Sequence, residues 1–385
     1  MSFSGTPRGF SMRTSLSRPR VAVLGGGVIG VATATRLALR GAQVVLVTES
    51  ELADGASGRS LSWLNSFGGM RSEAYHRLRV LGIDRYRTFA TRVPSSDFLR
   101  FDGGLTWAAP GEDSHRAAFE HMRGNGYDAE WLTREEVPRW APGVNPAAVP
   151  EEGAIFNPGE GWVDLVALVR HLAGAFTEAG GVIRAGGGAA DVVVEGGRAV
   201  AVRTGAGERI DVDAVLLATG ADVPRMVRPY GVRIPDATPQ ALLVRTKPVD
   251  TALRATLNTP RVALRPAPGG ALVMDSDASA AEVVDHGDGS YEVKDSTVEQ
   301  LLREATAVLA GGPRLELDSY GVGRKPIPGD GEPVLGELDE VPGLFVAFTH
   351  SGATLALIAG ELLADEITTG ERSPLLAAFR PGRFS

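Results

Sequence analysis

The feature that most constrains this chain is a strand, turn and helix close to its start. Residues 21–24 form a short apolar run rich in β-branched residues, which is typical of a buried parallel strand. Gly25, Gly27 and Gly30 follow with the spacing G-x-G-x-x-G. Apolar residues then recur at helical spacing over 31–40. This order predicts the opening of a Rossmann-like unit.

Each part of this unit has a physical role in holding a pyrophosphate. The first glycine permits a tight turn, the second lets backbone amides approach the phosphates, and the third lets the helix pack closely. The amides of Val28 and Ile29 and the helix dipole favour negative charge at the helix start. A second apolar strand over 43–48 precedes Glu49, whose carboxylate can accept the ribose hydroxyls. We therefore predict an ADP-type dinucleotide site.

The amino-acid composition excludes several kinds of partner, metal site and cofactor linkage. The 385 residues carry a formal charge of −8 with interspersed signs, so nothing indicates a nucleic-acid partner. The chain has no cysteine, which excludes disulfides, thiolate metal sites and a thioether-linked flavin, and its six histidines lack metal-ligand spacing. Its apolar runs are too short to cross a bilayer. We expect a soluble, cytoplasmic, metal-free protein with a disordered leader over 1–19 rather than a transit peptide.

Hydrophobic periodicity and turn residues predict an α/β fold with an antiparallel sheet over about 225–320, after which a last strand and a final helix return to the nucleotide-binding part. The predicted helices cover 72–92, 114–124, 297–309 and a segment from near Thr354 to about 367. A further amphipathic helix lies within 159–180, where a glycine-rich turn introduces it and Asp164 is the expected N-cap. The predicted strands cover 105–108, a hairpin over 192–204, then 214–218, 241–247, 261–265, 271–275 and 344–348.

Four stretches, in this order, resemble the D-amino acid oxidase superfamily of FAD-dependent oxidoreductases, in particular its glycine oxidase and sarcosine oxidase branch. They are 25–49, LLATG over 216–220, RKPIPGDGEP over 324–333 and AFTHSG over 347–352. The resemblance covers about residues 20–370 and implies an enzyme with two domains. A Rossmann-like FAD-binding domain would comprise 20–95, 155–225 and 323–375. An antiparallel-sheet substrate domain would comprise 96–154 and 226–322.

The resemblance also implies which residues hold FAD. Gly25, Gly27 and Gly30 would hold the pyrophosphate, Glu49 the ribose, and the backbone near Ala190 the adenine. The remaining matches would surround the flavin and its side chain: Ser57, Arg59, Ser60, Thr219, Gly220, His350, Ser351, Gly352, Thr354 and Leu355. A general-base role for His350 is the alternative to its place in this cofactor loop.

The substrate side departs from the family. Members of the branch carry an arginine before the proline of the 324–333 stretch, where it binds the substrate carboxylate, whereas this chain has Lys325 preceded by Arg324. An ammonium lacks the bidentate fork of arginine but still pairs with a carboxylate. Arg265 is a third candidate. The alternatives are a surface role for Lys325, a salt bridge for Arg324 and a solvent-facing Arg265.

A second departure concerns oxygen. Sarcosine oxidases carry a lysine over the flavin, where this chain has Val273, and their flavin-linking cysteine is also absent. We therefore expect a protein closer to glycine oxidase, with FAD bound non-covalently.

The resemblance implies oxidation of glycine or an N-substituted glycine, with hydride transfer from the α-carbon, imine hydrolysis to glyoxylate and an amine, and reoxidation by O2. The small Ala263 leaves room for an extended N-substituent, as in natural-product pathways that trim a glycyl unit to leave a β-amino acid. Two alternatives stay open. One is a dehydrogenase that passes electrons to another acceptor, and the other is a non-catalytic FAD-binding regulator.

Overall fold

The structure is a computed structural model that describes residues 18–66, 72–93, 97–112 and 114–384. The expected leader falls almost entirely on residues 1–17, which lie outside the described residues. No helix within the described ranges is both long and apolar enough to span a membrane.

The helices and strands cover most of these ranges. The α-helices are α1 (Val28–Leu39), α2 (Glu73–Arg92), α3 (Ser114–Gly124), α4 (Val137–Trp140), α5 (Leu165–Glu178), α6 (Val223–Val227), α7 (Asp277–Ala281), α8 (Asp295–Val308) and α9 (Gly352–Thr369). The strands are β1 (Arg20–Leu24), β2 (Gln43–Val47), β3 (Trp63–Leu64), β4 (Leu99–Arg100), β5 (Gly104–Thr106), β6 (Glu130–Leu132), β7 (Ala154–Asn157), β8 (Gly161–Val163), β9 (Val182–Arg184), β10 (Asp191–Glu195), β11 (Arg198–Arg203), β12 (Arg209–Asp211), β13 (Ala214–Leu217), β14 (Gln240–Thr246), β15 (Thr256–Asn258), β16 (Ala263–Ala267), β17 (Ala271–Asp275), β18 (Val284–Asp285), β19 (Tyr291–Glu292), β20 (Leu317–Arg324), β21 (Val334–Glu337) and β22 (Leu344–Phe348).

A six-stranded sheet in the order β21-β22-β13-β1-β2-β9 forms the first layer. Its strands pair in parallel except β21, which is antiparallel to β22. Helices α1, α5 and α9 pack on one face in a shared apolar core, and the β10–β12 meander covers the other. The carboxyl ends of β1, β2, β13 and β22 therefore meet at one edge, where α/β sheets bind ligands.

An eight-stranded sheet in the order β20-β14-β17-β16-β15-β5-β7-β6 forms the second layer. Alternation along its strands separates two faces. Leu264, Leu272 and Met274 pack in an apolar core with α8. Ala263 and Asp275, which pair directly, lie on the opposite face. That face lies over the ligand-binding edge of the first sheet.

The α/β fold with a second antiparallel-sheet region is confirmed, and several bounds agree residue for residue, including α3, β17 and β22. Within the 159–180 segment the helix begins at Leu165, directly after Asp164, the N-cap expected from the sequence, and 161–163 of the preceding turn pairs as β8 with β3 and β4. Helices α8 and α9 begin at Asp295 and Gly352, each two residues earlier than predicted. The domain boundaries stay a prediction; β7 and β20, which span residues 155 and 323, belong to the eight-stranded sheet.

Candidate active site

A cavity of about 880 Å³ lies between the two sheets. This volume is within the usual range for cofactor and substrate sites. It brings together residues that are distant in sequence. The predicted residues that line it are Gly25, Gly27, Val28, Ile29, Glu49, Ser57, Arg59, Ser60, Ala190, Thr219, Gly220, Arg324, Lys325, His350, Ser351, Gly352 and Thr354. Gly30, Leu355 and Arg265 are the predicted residues that do not line it.

Two of the three motif glycines have no room for a side chain. Gly25 has φ +115°, and a Cβ there would lie 2.3 Å from the Ala218 carbonyl oxygen. A Cβ on Gly30 would lie 2.0 Å from the Gly25 carbonyl oxygen. Glycine is therefore required at both positions for β1, α1 and β13 to pack closely against one another. The turn also leaves its backbone accessible from the cavity. Gly30 acts through this packing rather than by facing the cavity, and Leu355 is fully buried in the α9 core.

Two helix starts meet beside this turn. The Ser57 hydroxyl accepts a hydrogen bond from the Val28 amide at 3.0 Å, which ties the 54–60 loop to α1. A Cβ on Gly352, the first residue of α9, would lie 3.9 Å from Ile29 Cδ1. The positive ends of the α1 and α9 dipoles therefore point into the same part of the cavity, where they favour an anionic group.

The far end of the cavity suits a nucleoside. Glu49 is exposed at the end of β2, and its carbonyl oxygen accepts from the Gly188 amide at 3.2 Å. Ala190 lines the cavity nearby, just before β10. Along this one cavity lie a glycine turn, two helix starts and, at the far end, a carboxylate. Their order matches that of the pyrophosphate and the ribose in a dinucleotide. The donor set and space therefore fit FAD.

The 54–66 segment passes under the eight-stranded sheet. Arg59 pairs with Asp54 at 3.0 Å, and its side chain lies against β20, where a Cβ on Gly323 would come within 2.8 Å of Arg59 Cδ. Ser62 adopts φ +59°, and its amide donates to the Ser60 hydroxyl at 3.1 Å. A left-handed non-glycine residue in a cavity wall is the kind of local strain found at functional sites.

The three candidate cations differ in their surroundings. Arg265 is fully buried, with its guanidinium 5.0 Å from the Trp162 ring and donating to the Leu61 and Pro266 carbonyls. Burial lowers its pKa to about 10. It neither faces water nor lines the cavity, so its position favours a structural role. Arg324 forms a salt bridge with Asp222 at 3.2 Å, which is the alternative to carboxylate binding given for it above.

Lys325 stands apart from these arginines. It lines the cavity one residue beyond β20, where its amide donates to the Pro239 carbonyl at 2.9 Å. Its ammonium makes no hydrogen bond or direct ion pair within the described part of the chain. Of the three candidates, Lys325 is therefore the one whose charge is available to a ligand in the cavity.

Sequence reasoning missed several polar residues here. Asp275 lines the cavity, and burial raises the pKa of its carboxyl to about 6, against the opposing effect of Lys325. Arg79, on α2, also lines the cavity and donates from Nε to the Asn65 carbonyl at 3.0 Å. Behind Trp63, the fully buried Glu160 accepts from the Tyr127 hydroxyl at 2.6 Å.

The signals for these residues were weak. Asp275 ends a correctly predicted strand, but that strand pairs antiparallel on both sides, so the rule that ligands bind at carboxyl ends of parallel strands does not apply to it. Nothing local distinguishes Arg79 or Glu160. Burial raises the pKa of Glu160 to about 8, although the Tyr127 hydrogen bond and the Arg79 charge act in the opposite direction. Such a carboxyl keeps its proton at neutral pH, which is unusual enough to call for a test.

Comparisons with known proteins agree with this arrangement. The sequence model of the DAO family, described as FAD dependent oxidoreductase, matches residues 20–366. Glycine oxidase of Geobacillus kaustophilus (strain HTA426) is 27% identical over 93% of this chain and 95% of its own. The crystal structure of glycine oxidase from Geobacillus kaustophilus has a TM-score of 0.82 at 24% identity, covering 94% of this chain and 98% of the other. The structure of iminodiacetate oxidase from Chelativorans sp. BNC1 has a TM-score of 0.77 at 19% identity, covering 94% and 99%. At these identities the two structures establish the fold.

Proposed function

Since the chain belongs to the DAO family of FAD-dependent oxidoreductases, we propose that it oxidises a glycine-type amine: glycine or an N-substituted glycine. The observation that carries this is the Lys325 ammonium, which lines the same cavity as the glycine turn and has no partner of its own among the described residues. A carboxylate bound there would place an α-carbon inside the cavity. The family assignment favours an enzyme over a non-catalytic regulator.

FAD is the cofactor of this family, and its chemistry is to accept a hydride from the α-carbon of the amine. We assign its pyrophosphate to the Gly25–Gly27 turn and the starts of α1 and α9, its ribose to Glu49 and its adenine to the backbone at Ala190. His350 and Ser351 would surround the flavin end. Binding is non-covalent in this proposal, since the chain has no cysteine for a thioether.

The protein's own contribution is to orient the substrate and exclude water. Lys325 would hold the carboxylate by a charge-assisted hydrogen bond, and such fixed orientation lowers the barrier to transfer. The eight-stranded sheet closes the cavity from the other side. Water re-enters for hydrolysis of the imine, which would give glyoxylate and an amine.

Room for an N-substituent comes from a row of three residues on adjacent strands, Asp275, Ala263 and Asn258, which we call the cavity-facing row. Ala263 pairs with both Asp275 and Asn258, and all three line the cavity. The Ala263 methyl lies between two polar side chains. We infer a substituent that passes Ala263 and carries a polar group toward Asn258. A secondary amine that yields a β-amino acid has this form.

The assignment is tested by mixing the flavin-loaded protein with glycines in the absence of air. The series runs from glycine and sarcosine to iminodiacetate and longer N-alkylglycines with a second carboxylate, and flavin absorbance near ~450 nm is followed. Bleaching that reverses in air, with peroxide formed, is expected of an oxidase. Bleaching that persists in air would indicate a dehydrogenase, the alternative kept open by Val273. Failure of every glycine to bleach the flavin would contradict the proposal.

Lys325→Met is expected to weaken substrate binding without loss of FAD. A charged hydrogen bond contributes about 1.5–3 kcal/mol, which corresponds to roughly a 10- to 100-fold higher Kd. The measurement is the substrate concentration that gives half the maximal rate of flavin reduction. Lys294→Met, at an exposed residue before α8, is the matched control and should leave that concentration unchanged. Lys325→Arg should retain most of the affinity, and equal affinity in the Met variant would remove Lys325 from the site.

A further inference from the structure

Asp275 is the carboxylate of the cavity-facing row. It ends β17, and its direct neighbour across the sheet is the small Ala263, so no bulky side chain covers it on that side. Its carboxylate makes no hydrogen bond within the described residues, yet it lines the cavity. A partly buried acid that faces a ligand site without a partner is poised for a cationic ligand.

Titratable groups from several elements line the same cavity as Asp275, among them Lys325 and Arg324 at the end of β20, Asp277 in α7, Arg261 before β16 and Tyr291 in β19. Of these, Lys325 and Asp277 act on the Asp275 carboxyl electrostatically. Two of the cations are already paired, Arg324 with Asp222 and Arg261 with Glu304. Lys325 makes no hydrogen bond or ion pair within the described residues, and its charge acts on Asp275 electrostatically. Lys325 and Asp275 are thus a positive and a negative group of the cavity lining that no described side chain pairs directly.

A glycine-type substrate carries the complementary charges. In water its amine is protonated, and a protonated amine has no lone pair to stabilise the positive charge that develops when hydride leaves the α-carbon. The substrate must therefore lose a proton before it can be oxidised. The most effective acceptor has a pKa close to the working pH. Burial places the Asp275 carboxyl near that range, at about 6.

We propose that Asp275 is a catalytic residue that binds the substrate ammonium and accepts its proton, while Lys325 binds the substrate carboxylate. In this step an N–H bond breaks and an O–H bond forms on the Asp275 carboxylate, and the electron pair stays on nitrogen. No redox change is involved. The assignment rests on the proposed function, because it needs an amine substrate. A role limited to offsetting the Lys325 charge is the structural alternative.

The test compares two ligands of the flavin-loaded protein. Sarcosine carries an ammonium, and butyrate is its isostere with a methylene in that position. Anaerobic measurements run from about pH 5 to pH 9. Butyrate binding is followed by the shift in flavin absorbance. For sarcosine the half-saturating concentration is taken from the rate of flavin reduction, or from the absorbance shift if no reduction occurs. The variants are Asp275→Asn, which keeps the shape and loses the charge, and Asp275→Glu. Asp250→Asn is the matched control, since it removes an exposed acid that does not line the cavity.

The wild type should bind sarcosine more tightly than butyrate, with a preference that grows as the pH rises through about 6. Asp275→Asn should lose roughly a 10- to 100-fold preference, as expected for a charged hydrogen bond, and its reduction rate should rise only at higher pH. Asp250→Asn should keep the preference, and Asp275→Glu should restore part of it. If Asp275 only offset the charge of Lys325, Asp275→Asn would instead change the affinities for butyrate and sarcosine by the same factor.

Retention of the wild-type preference by Asp275→Asn would overturn the assignment, as would a wild type with no preference. A wild type that prefers sarcosine through Asp275, yet whose flavin no glycine reduces, would overturn the proposed oxidation instead and leave the ammonium site standing. The two failures are therefore distinguishable.

Discussion

Gly30→Ala is expected to give a less stable protein that retains little FAD. The added methyl would lie 2.0 Å from the Gly25 carbonyl oxygen, a backbone atom that cannot rotate away. The start of α1 and the glycine turn must separate, which moves the amides aimed at the pyrophosphate. Overpacking of this kind costs about 1–3 kcal/mol or more. If that cost falls on cofactor binding, affinity for FAD drops roughly 10- to 100-fold or more.

Gly174→Ala is the matched control for this change. Gly174 also lies within a helix, α5, but it is exposed and nothing lies within 4 Å of an added Cβ. Alanine there should stabilise the helix by about 0.5–1 kcal/mol. Replacing glycine by alanine is thus expected to lower the stability of the protein at position 30 and to raise it at position 174. The measurements are flavin absorbance per protein and the urea midpoint, and a fully flavinated Gly30→Ala protein of wild-type midpoint would contradict the packing argument.

Glu160→Gln is expected to flatten the dependence of stability on pH. The pKa of Glu160 is raised from 4.5 to about 8 in the folded protein, chiefly because the carboxyl is buried. Between these values the folded state keeps a proton that the unfolded state has released. Unfolding then releases a proton, so the free energy of unfolding falls as pH rises, by at most about 1.4 kcal/mol per pH unit from this group. Above the folded pKa this contribution to the slope ends.

The glutamine variant removes the titration while keeping an oxygen that accepts from Tyr127. Its stability should decline less than that of the wild type between about pH 5 and pH 8. Thermal midpoints are measured across this range with a fixed excess of FAD, since bound cofactor itself raises the midpoint. Glu178→Gln, at an exposed residue closing α5, should keep the wild-type slope. Equal slopes for Glu160→Gln and the wild type would show that Glu160 does not carry the extra proton.

The parts of the site that sequence indicated are those set by local backbone chemistry. The turn at Gly25 needs a positive φ and close packing, and both requirements restrict the residue type within a few positions. The rest depends on pairing between distant segments. From the sequence alone, Arg265 could equally lie at the surface. In the structure the Trp162 ring and the Leu61 carbonyl, which come from other segments, enclose its guanidinium. Glu160 lies in the glycine-rich turn expected before α5, and its burial depends on Tyr127 and Trp63 from other segments.

Asp275 shows the same limit within a correctly predicted element. The bounds of β17 were right, but a strand's two faces are interchangeable until its register is known. That register follows from pairing with β14 and β16, which puts Met274 against α8 and Asp275 over the cavity. Sequence therefore indicated where the strand ends and left open which side chain meets the ligand.

The cavity-facing row has a consequence for how this enzyme could diversify. Asp275, Ala263 and Asn258 come from strands of the eight-stranded sheet, whereas the proposed FAD contacts come from loops and helix starts of the other sheet. Replacements of Ala263 or Asn258 would change which N-substituent fits and leave unaltered both the proposed FAD contacts and the proposed proton acceptor Asp275. New amines thus become accessible by single substitutions, without rebuilding the part of the protein that holds the cofactor.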